Sequence, residues 1–246
     1  MPWSKLHVLT LIPTLVIEII MAFFIGKCLS NKSNKAKMLP FKFIAVLLTF
    51  MEIIKQIVSI KKGYDLYHLP LHFCSLFIFL LPLHAFYNGK HRGKVNLLML
   101  TCSASLLFVM LICPNVIYSE GAIKNFTNDY IDSYSIIFHG LVSFYYMLML
   151  FIDEYKFNTK KDIKILFMFF TIYILISAPL AQILQTNFHN LYKCGIQFIE
   201  NFRIFLINKL GWIAQLIYII GMYIATIGVN VFTYTLSKKV NMLLKK

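Results

Sequence analysis

Two side chains of this sequence are of the types needed for nucleophilic chemistry inside a membrane. Cys74 lies in the stretch Leu-Pro-Leu-His-Phe-Cys-Ser-Leu, residues 69–76, and His139 lies in another strongly apolar segment. Ionisable groups are costly to hold among lipid chains, so both are candidates for function. A thiol beside an imidazole can lose its proton and become a thiolate nucleophile. The pair predicts a Cys/His site, although residues that only pack and hydrogen-bond within a bundle fit the same spacing.

His72 is close to Cys74 in sequence, but we expect the base to come from elsewhere. Pro70 fits the first position of a helix, and the apolar run predicts that this helix continues through Leu81. Two residues apart on a helix, the side chains of His72 and Cys74 point in directions about 160° apart. His139, at a matching depth in its own helix, is therefore the predicted base.

Further polar side chains are expected near this pair. With a rise of about 1.5 Å per residue, Cys74 and His139 each lie about 7–8 Å below the outer ends of their helices. Four other polar residues come close to this depth or lie above it, namely Glu52, Gln56, Gln182 and Asn187. We predict that these six side chains converge in the outer half of the membrane. Gln56, Asn187 or His72 could donate to an oxyanion, and the sequence does not choose among them.

The second apolar segment carries a polar stripe. Its polar residues recur at steps of three and four, which places them on one helix face: Thr49, Glu52, Lys55, Gln56 and Ser59. Such a face must contact protein or a wet cavity rather than lipid. Two interpretations are left open. Glu52 and Lys55 neutralise one another as a pair, or the stripe forms a cavity wall.

The composition indicates that membrane-spanning helices position these groups. The chain is 59% hydrophobic and 14% charged, with a mean hydropathy of +0.72, whereas soluble domains are about 45–50% apolar and about 25% charged. Its 246 residues predict a single domain, residues 1–246. The net charge of +14 does not indicate nucleic acid, because the lysines lie at the ends of apolar segments, where they meet anionic lipid headgroups.

Seven apolar segments are long enough to cross about 30 Å of hydrocarbon. They lie near residues 6–28, 39–60, 69–87, 94–113, 134–152, 163–184 and 211–236. Lysine and arginine are more numerous in alternate loops and in the C-terminal tail, which predicts an outward N-terminus and a cytoplasmic C-terminus. We therefore expect an all-α, polytopic bundle of seven transmembrane helices in the cell membrane.

Two further features narrow the chemistry. The five cysteines include no C-x-x-C pair, so we predict neither a metal site nor a redox motif, and no cofactor. The connection before the last segment, about 26 residues, is longer than ordinary loops, which is typical of a lid or a binding loop. Its residues 196–206 are amphipathic enough to lie along the membrane surface.

Several short motifs resemble those of the bacterial YwaF-type integral membrane proteins. Residues 69–76 resemble their Leu-Pro-Leu-His-Leu-Cys signature, and Phe138-His139-Gly140 resembles their Ser-His-Gly segment. Other elements of that family correspond in order and spacing to Pro114, Thr186-Asn187-Phe188 and Leu210-Gly211-Trp212. The chain departs from the pattern at Phe188, where the family has tyrosine, and it lacks a proline between Gly211 and Trp212.

The YwaF-type family is similar to a eukaryotic endoplasmic-reticulum transmembrane acyltransferase that moves fatty acyl chains between phospholipids through a cysteine and a histidine. The resemblance implies Cys74 as the acyl-accepting nucleophile and His139 as the general base, with membrane phospholipids and lysolipids as partners. We therefore expect a membrane-embedded lipid acyltransferase or acyl-ester hydrolase that works near the outer leaflet. The alternative is a substrate-binding transporter subunit for a vitamin or another small solute, which needs no nucleophile.

Overall fold

The computed structural model describes residues 3–152 and 155–244, and within these ranges the chain forms helices joined by turns and contains no strand. In chain order the helices are α1 (Lys5–Leu29), α2 (Asn34–Lys37), α3 (Leu39–Lys61), α4 (Leu76–Phe86), α5 (Arg92–Ile112), α6 (Pro114–Ile117), α7 (Glu120–Lys124), α8 (Tyr130–Ile152), α9 (Thr159–Ile183), α10 (Gln197–Leu210) and α11 (Trp212–Leu244). Two short 3-10 turns cover Leu66–His68 and Phe188–Asn190. The predicted all-α class is confirmed.

Six helical stretches in the described part of the chain are long and apolar enough to cross a membrane. They are Lys5–Leu29, Asn34–Lys61, Arg92–Ile112, Tyr130–Ile152, Thr159–Ile183 and Trp212–Leu244. Each overlaps a span predicted from the sequence, and the last continues to Leu244. The prediction of a multi-pass helical membrane protein is therefore confirmed.

The remaining predicted span, residues 69–87, differs from the expectation. It contains α4, an apolar helix of 11 residues, which is roughly 16 Å long at about 1.5 Å per residue and too short to cross the bilayer alone. The prediction of a helix that begins at Pro70 was wrong. Residues 69–75 form a series of tight turns, and the helix begins at Leu76.

Side chains from distant parts of the sequence stabilise these turns. Gln56 Nε2 donates to the His68 carbonyl oxygen at 3.1 Å, and the Tyr173 hydroxyl donates to the Leu71 carbonyl oxygen at 2.9 Å. A backbone carbonyl without a partner is costly inside a bilayer, so a helix can break there only where protein or water satisfies the freed groups. The Tyr173 hydroxyl supplies such a partner within the turns, and Gln56 supplies one just before them, so the chain can leave the helical conformation here.

Helices α5 and α8 form the centre of the bundle. In their most apolar windows 61% and 56% of the residues are buried, against 17% to 33% in the other spans. Helix α8 packs against α1, α3 and α5, while α11 packs against α5, α9 and α10. The short α4 contacts both α3 and α5. The turns that carry Cys74 are thus attached to the best-packed part of the molecule.

The amphipathic segment before the last span forms α10, which has no buried residue. Its apolar side chains are exposed, with Phe198 82% accessible, as a helix at a membrane surface requires. On its polar side Arg203 pairs with Glu200 at 2.6 Å. Gly211 follows with φ +58 and ψ −136, a conformation that side-chain-bearing residues rarely adopt, and this turn lets α11 begin at Trp212.

Several buried polar groups far from the turns at 69–75 are hydrogen-bonded to other segments of the chain. The Ser143 hydroxyl on α8 donates to Glu18 on α1. Asp162 accepts hydrogen bonds from the hydroxyls of Tyr155 and Tyr234, each at 2.8 Å, and from the Asn158 amide at 2.7 Å. These groups tie helices together and keep little hydrogen-bonding capacity for a ligand.

Candidate functional site

A cavity of about 400 Å³ lies among α3, the turns at 69–75, α5, α8, the turn at 187–190 and α11. Five of the seven residues predicted for a site lie on its wall: Glu52, His72, Cys74, His139 and Asn187. The volume is in the range of small-ligand sites. The fold thus brings together residues from at least four helices and two loops that are widely separated in the sequence.

Cys74 occupies the last turns before α4 and is partly buried. Its carbonyl oxygen accepts a hydrogen bond from the Phe77 amide at 3.2 Å, which anchors the turn to the start of the helix. The backbone N–H groups of Phe73 and Cys74 donate no hydrogen bond to another residue in the described part of the chain. Backbone donors beside a nucleophile are the groups that can stabilise an oxyanion in acyl transfer.

His139 lies on α8 and is only 6% exposed. Its Nδ1 is 2.6 Å from the carbonyl oxygen of Ser135. Because a carbonyl can only accept, Nδ1 carries the proton, which leaves a lone pair on Nε2. This Nε2 is buried and has no hydrogen-bond partner within residues 3–152 and 155–244. A neutral imidazole with an unpaired Nε2 at a cavity wall is a group able to accept a proton.

His72 also faces the cavity, but one of its nitrogens is occupied. Its Nε2 lies 3.0 Å from the carbonyl oxygen of Tyr67, five residues earlier, and donates to it. The residues around His72 and Cys74 are not helical, so the angular offset expected from a helix does not apply to them. His72 nevertheless closes a local turn, whereas His139 Nε2 has no such partner.

The three amide residues predicted for the site, Gln56, Gln182 and Asn187, mainly form hydrogen bonds within the protein around the cavity. Asn187 lines the cavity, but its Nδ2 donates to Asn190 Oδ1 at 3.2 Å and its Oδ1 accepts from the Lys193 amide at 3.1 Å. Gln56 and Gln182 do not line it. Gln182 Nε2 donates at 2.9 Å to the carbonyl of Leu191, in the loop that folds back beyond α9. The expected convergence therefore does not include Gln182, and Gln56 takes part in it only through its hydrogen bond to Glu52.

Both interpretations of the polar stripe hold for Glu52 and Lys55, which form an ion pair and also line the cavity. Lys55 Nζ is 2.9 Å from Glu52 Oε1, so the residues form a buried ion pair. Both also line the cavity. Gln56 Nε2 donates to the same Oε1 at 2.7 Å. The other carboxylate oxygen, Glu52 Oε2, is buried and accepts no hydrogen bond from any described residue.

Sequence reasoning missed the side of the cavity formed by His189 and α11. His189 Nε2 lies 2.7 Å from Thr226 Oγ1, and the Thr226 hydroxyl donates to the Met222 carbonyl at 2.8 Å. The His189 ring also stacks on Phe73, with ring centroids 5.6 Å apart. One signal could have found this wall, because the buried polar residues of α11 recur at helical spacing: Thr226, Asn230, Thr233 and Ser237.

The described residues do not offer a metal site. Within residues 3–152 and 155–244, no group of three or more His, Cys, Asp or Glu side chains is arranged to hold a metal ion. The polar groups of the cavity instead comprise a thiol, imidazoles, a carboxylate and an ammonium. These groups can move protons, attack a carbonyl carbon and bind a polar ligand.

Comparison with known proteins gives one match. Residues 2–226 match the family model described as the TMEM164 family. No match was found among curated proteins or among solved structures. The matched range includes Cys74, His139 and the cavity wall up to Thr226, whereas Val229 and Asn230 of that wall lie beyond it.

Proposed function

The chain belongs to the TMEM164 family, a family of transmembrane proteins, and on that premise we propose that it is a membrane-embedded lipid acyltransferase or acyl-ester hydrolase. Cys74 is the nucleophile and His139 the general base. One observation carries the proposal. Both residues line a single cavity, and the buried Nε2 of His139 has no hydrogen-bond partner among the described residues.

The first half of the proposed reaction forms an acyl-enzyme. The Cys74 thiol gives its proton to His139 Nε2, and the sulfur attacks the carbonyl carbon of a phospholipid ester. The ester C–O bond then breaks, and the leaving oxygen takes the proton from His139. The products are a lysolipid and a thioester on Cys74. The amides of Phe73 and Cys74, which donate to no other residue in the described part of the chain, are suited to stabilise the oxyanion of this step.

The second half returns the enzyme to its starting state. A lysolipid hydroxyl, or water in the hydrolytic version, gives its proton to His139 and attacks the thioester carbonyl. The C–S bond breaks, and the Cys74 sulfur regains the proton. No metal or redox partner is needed to balance either step. The acyl chain lies in the apolar grooves between helices, and the lysines that flank the spans attract anionic headgroups.

A lipid probe with an electrophilic ester tests this proposal. Purified protein in nanodiscs should acquire one acyl group at Cys74, detected by mass spectrometry, and Cys74→Ala should abolish the modification. Cys102→Ala is the matched control, because Cys102 is a fully buried thiol in the core that does not line the cavity. Unmodified wild-type protein would refute the proposal. Binding of a water-soluble vitamin without modification would favour the transporter-subunit alternative.

A further inference from the structure

The carboxylate of Glu52 has one oxygen with unused hydrogen-bonding capacity at the cavity wall. Oε1 receives both Lys55 and Gln56, at 2.9 and 2.7 Å. The whole residue is only 6% exposed. Its Oε2 is buried and accepts no hydrogen bond from the described residues. The Tyr134 phenol is close enough to the same carboxylate to interact with it, but no described residue makes a well-aligned hydrogen bond to Oε2. A buried acceptor in this state is stabilised by a ligand that brings an O–H or N–H donor.

Lys55 limits which kind of ligand group can donate a hydrogen bond to Glu52 Oε2. Its ammonium is fixed beside the carboxylate and lies 5.1 Å from the centroid of the Tyr134 ring. Lys55 already neutralises the Glu52 carboxylate, so a cationic ligand group at Oε2 would add an uncompensated positive charge to a buried site, which is costly. A neutral hydroxyl can donate the same hydrogen bond without that cost. The spare N–H donors of Lys55 also favour an electron-rich oxygen nearby, such as that of a phosphate diester.

We propose that Glu52 and Lys55 form a headgroup subsite that selects lipids with a hydroxylated headgroup, such as glycerol or a sugar, over lipids with an ammonium headgroup. A headgroup hydroxyl donates to Glu52 Oε2, and Lys55 donates to an oxygen of the same headgroup. Glu52 is a positioning residue here and takes no part in bond making. The inference rests on the proposed function to the extent that the cavity must bind a membrane lipid.

Tyr134 lies near both this subsite and the reacting thiol of Cys74. Tyr134 is within electrostatic range of both the Glu52 carboxylate and the Cys74 thiol, and it lines the same cavity. A lipid whose headgroup lies at Glu52 can therefore extend towards Cys74 without leaving the cavity. The subsite thus fixes the orientation of the lipid, which is what a transfer between defined ester positions requires.

Lipid binding without turnover provides the test. Full-length Cys74→Ala protein is mixed with lipids of identical acyl chains, and the retained lipid is measured by native mass spectrometry. Phosphatidylglycerol is compared with phosphatidylmethanol, which has the same phosphate charge but no hydroxyl. Binding of a glucosyl diacylglycerol is measured as well, to show whether the hydroxyl of a sugar headgroup is bound in place of that of a glycerol headgroup. We expect phosphatidylglycerol to be preferred over phosphatidylmethanol by about tenfold, the value of one hydrogen bond to a charged group.

Substitutions then assign the preference to the pair. Glu52→Gln should reduce the preference to about onefold, because the negative charge that strengthens the hydrogen bond is lost and one of the two acceptor oxygens becomes an amide nitrogen, which can only donate. Glu120→Gln is the control, since Glu120 forms a comparable lysine pair with Lys124 at 3.0 Å on the surface, outside the cavity. It should keep the preference. Equal binding of phosphatidylglycerol and phosphatidylmethanol to the Cys74→Ala protein, or an unchanged preference after Glu52→Gln is added, would overturn the proposal.

A second variant keeps the test decisive if Glu52→Gln does not fold. Lys55→Met removes the positive charge beside the carboxylate, so binding of phosphatidylethanolamine should rise several-fold relative to phosphatidylglycerol. An unchanged ratio would overturn the inferred role of Lys55, as would a preference for phosphatidylethanolamine in the unsubstituted protein. Failure of the acylation experiment would leave this binding result intact, because the protein used here lacks the nucleophile. The two proposals can therefore fail separately.

Discussion

His7 and His139 are both buried histidines, 1% and 6% exposed, but they lie in regions of opposite character. In the amino-terminal cap of α1, His7 Nδ1 accepts hydrogen bonds from Ser4, and Nε2 lies 3.1 Å from the Tyr118 carbonyl. Both nitrogens are used. In the cavity, His139 uses Nδ1 on Ser135 and leaves Nε2 without a partner among the described residues.

The buried acids repeat this contrast. Asp162 accepts three hydrogen bonds from Tyr155, Asn158 and Tyr234, whereas Glu52 has one buried oxygen that no described residue contacts by a hydrogen bond. A buried polar group that is fully satisfied stabilises the fold, and one that is not can bind what arrives. Burial alone therefore does not identify the site. Unused hydrogen-bonding capacity at a cavity wall does.

The largest expected effect concerns the side of the membrane on which the cavity opens. In a variant without the native cysteines, single cysteines at positions 90 and 160 should react with a membrane-impermeant thiol reagent only after the membrane is opened. A cysteine at position 120 should react in intact cells, because lysine placement predicts that this loop is outside. The reverse pattern would place the cavity towards the cytoplasmic leaflet.

The comparison of the two histidines predicts that one substitution slows acylation and the other lowers the stability of the fold. His139→Ala should slow acylation of Cys74 by about 10²–10⁴-fold, the usual contribution of a general base. His7→Ala should leave the rate per folded molecule unchanged and lower the free energy of unfolding by about 1–3 kcal/mol, because it removes satisfied hydrogen bonds. Acylation kinetics and thermal unfolding measure these effects. Equal rates in the two variants would return His139 to a structural role.

The comparison of the two acids predicts that Asp162→Ala lowers the stability of the fold without slowing the acylation of Cys74. Asp162→Ala leaves the hydroxyls of Tyr155 and Tyr234 without their acceptor, so the free energy of unfolding should fall by about 3 kcal/mol. The melting temperature in detergent measures this effect. Acylation of Cys74 in the folded fraction should match that of the unsubstituted protein. A selective loss of acylation would show that Asp162 has a role beyond stability.

The smallest expected effect is at an exposed acid. A hydrogen bond from Lys62 holds the pKa of Asp129 below its ordinary value of 3.8. A lowered pKa stabilises the fold above the ordinary value, and this contribution is lost as the pH falls through the folded-state pKa. At neutral pH, Asp129→Asn should cost less than about 1 kcal/mol, as for other exposed pairs. Melting temperatures across pH should show the difference disappearing in acid.

The continuous apolar runs of the sequence were sufficient to predict most of the long helices. Spans near 6–28, 94–113 and 134–152 correspond to α1, α5 and α8 because continuous apolar runs specify helices wherever the backbone has no other partner. The end of α5 before Pro114 and the start of α11 at Trp212 also follow from local sequence. The break at 69–75 does not, since its donors, Gln56 and Tyr173, lie elsewhere in the chain.

The site could be predicted in part for the same reason. Cys74, His139 and Glu52 were identifiable because each is an ionisable residue within an apolar run. His189 was not, because its position on the cavity wall depends on a left-handed backbone conformation, φ +50, which it shares with the adjacent Asn190. Long-range packing holds such conformations, and no local pattern in the sequence encodes them.

The Tyr173 bond to the Leu71 carbonyl also sets an order for biogenesis. The two residues are separated by 102 positions, so Leu71 enters the membrane long before its donor has been synthesised. Until α9 inserts, the carbonyl must be satisfied by water or by a continuous helix, which the local sequence favours. The Cys74 turn is therefore completed late, and a nascent chain arrested before α9 carries the nucleophile without the finished site around it.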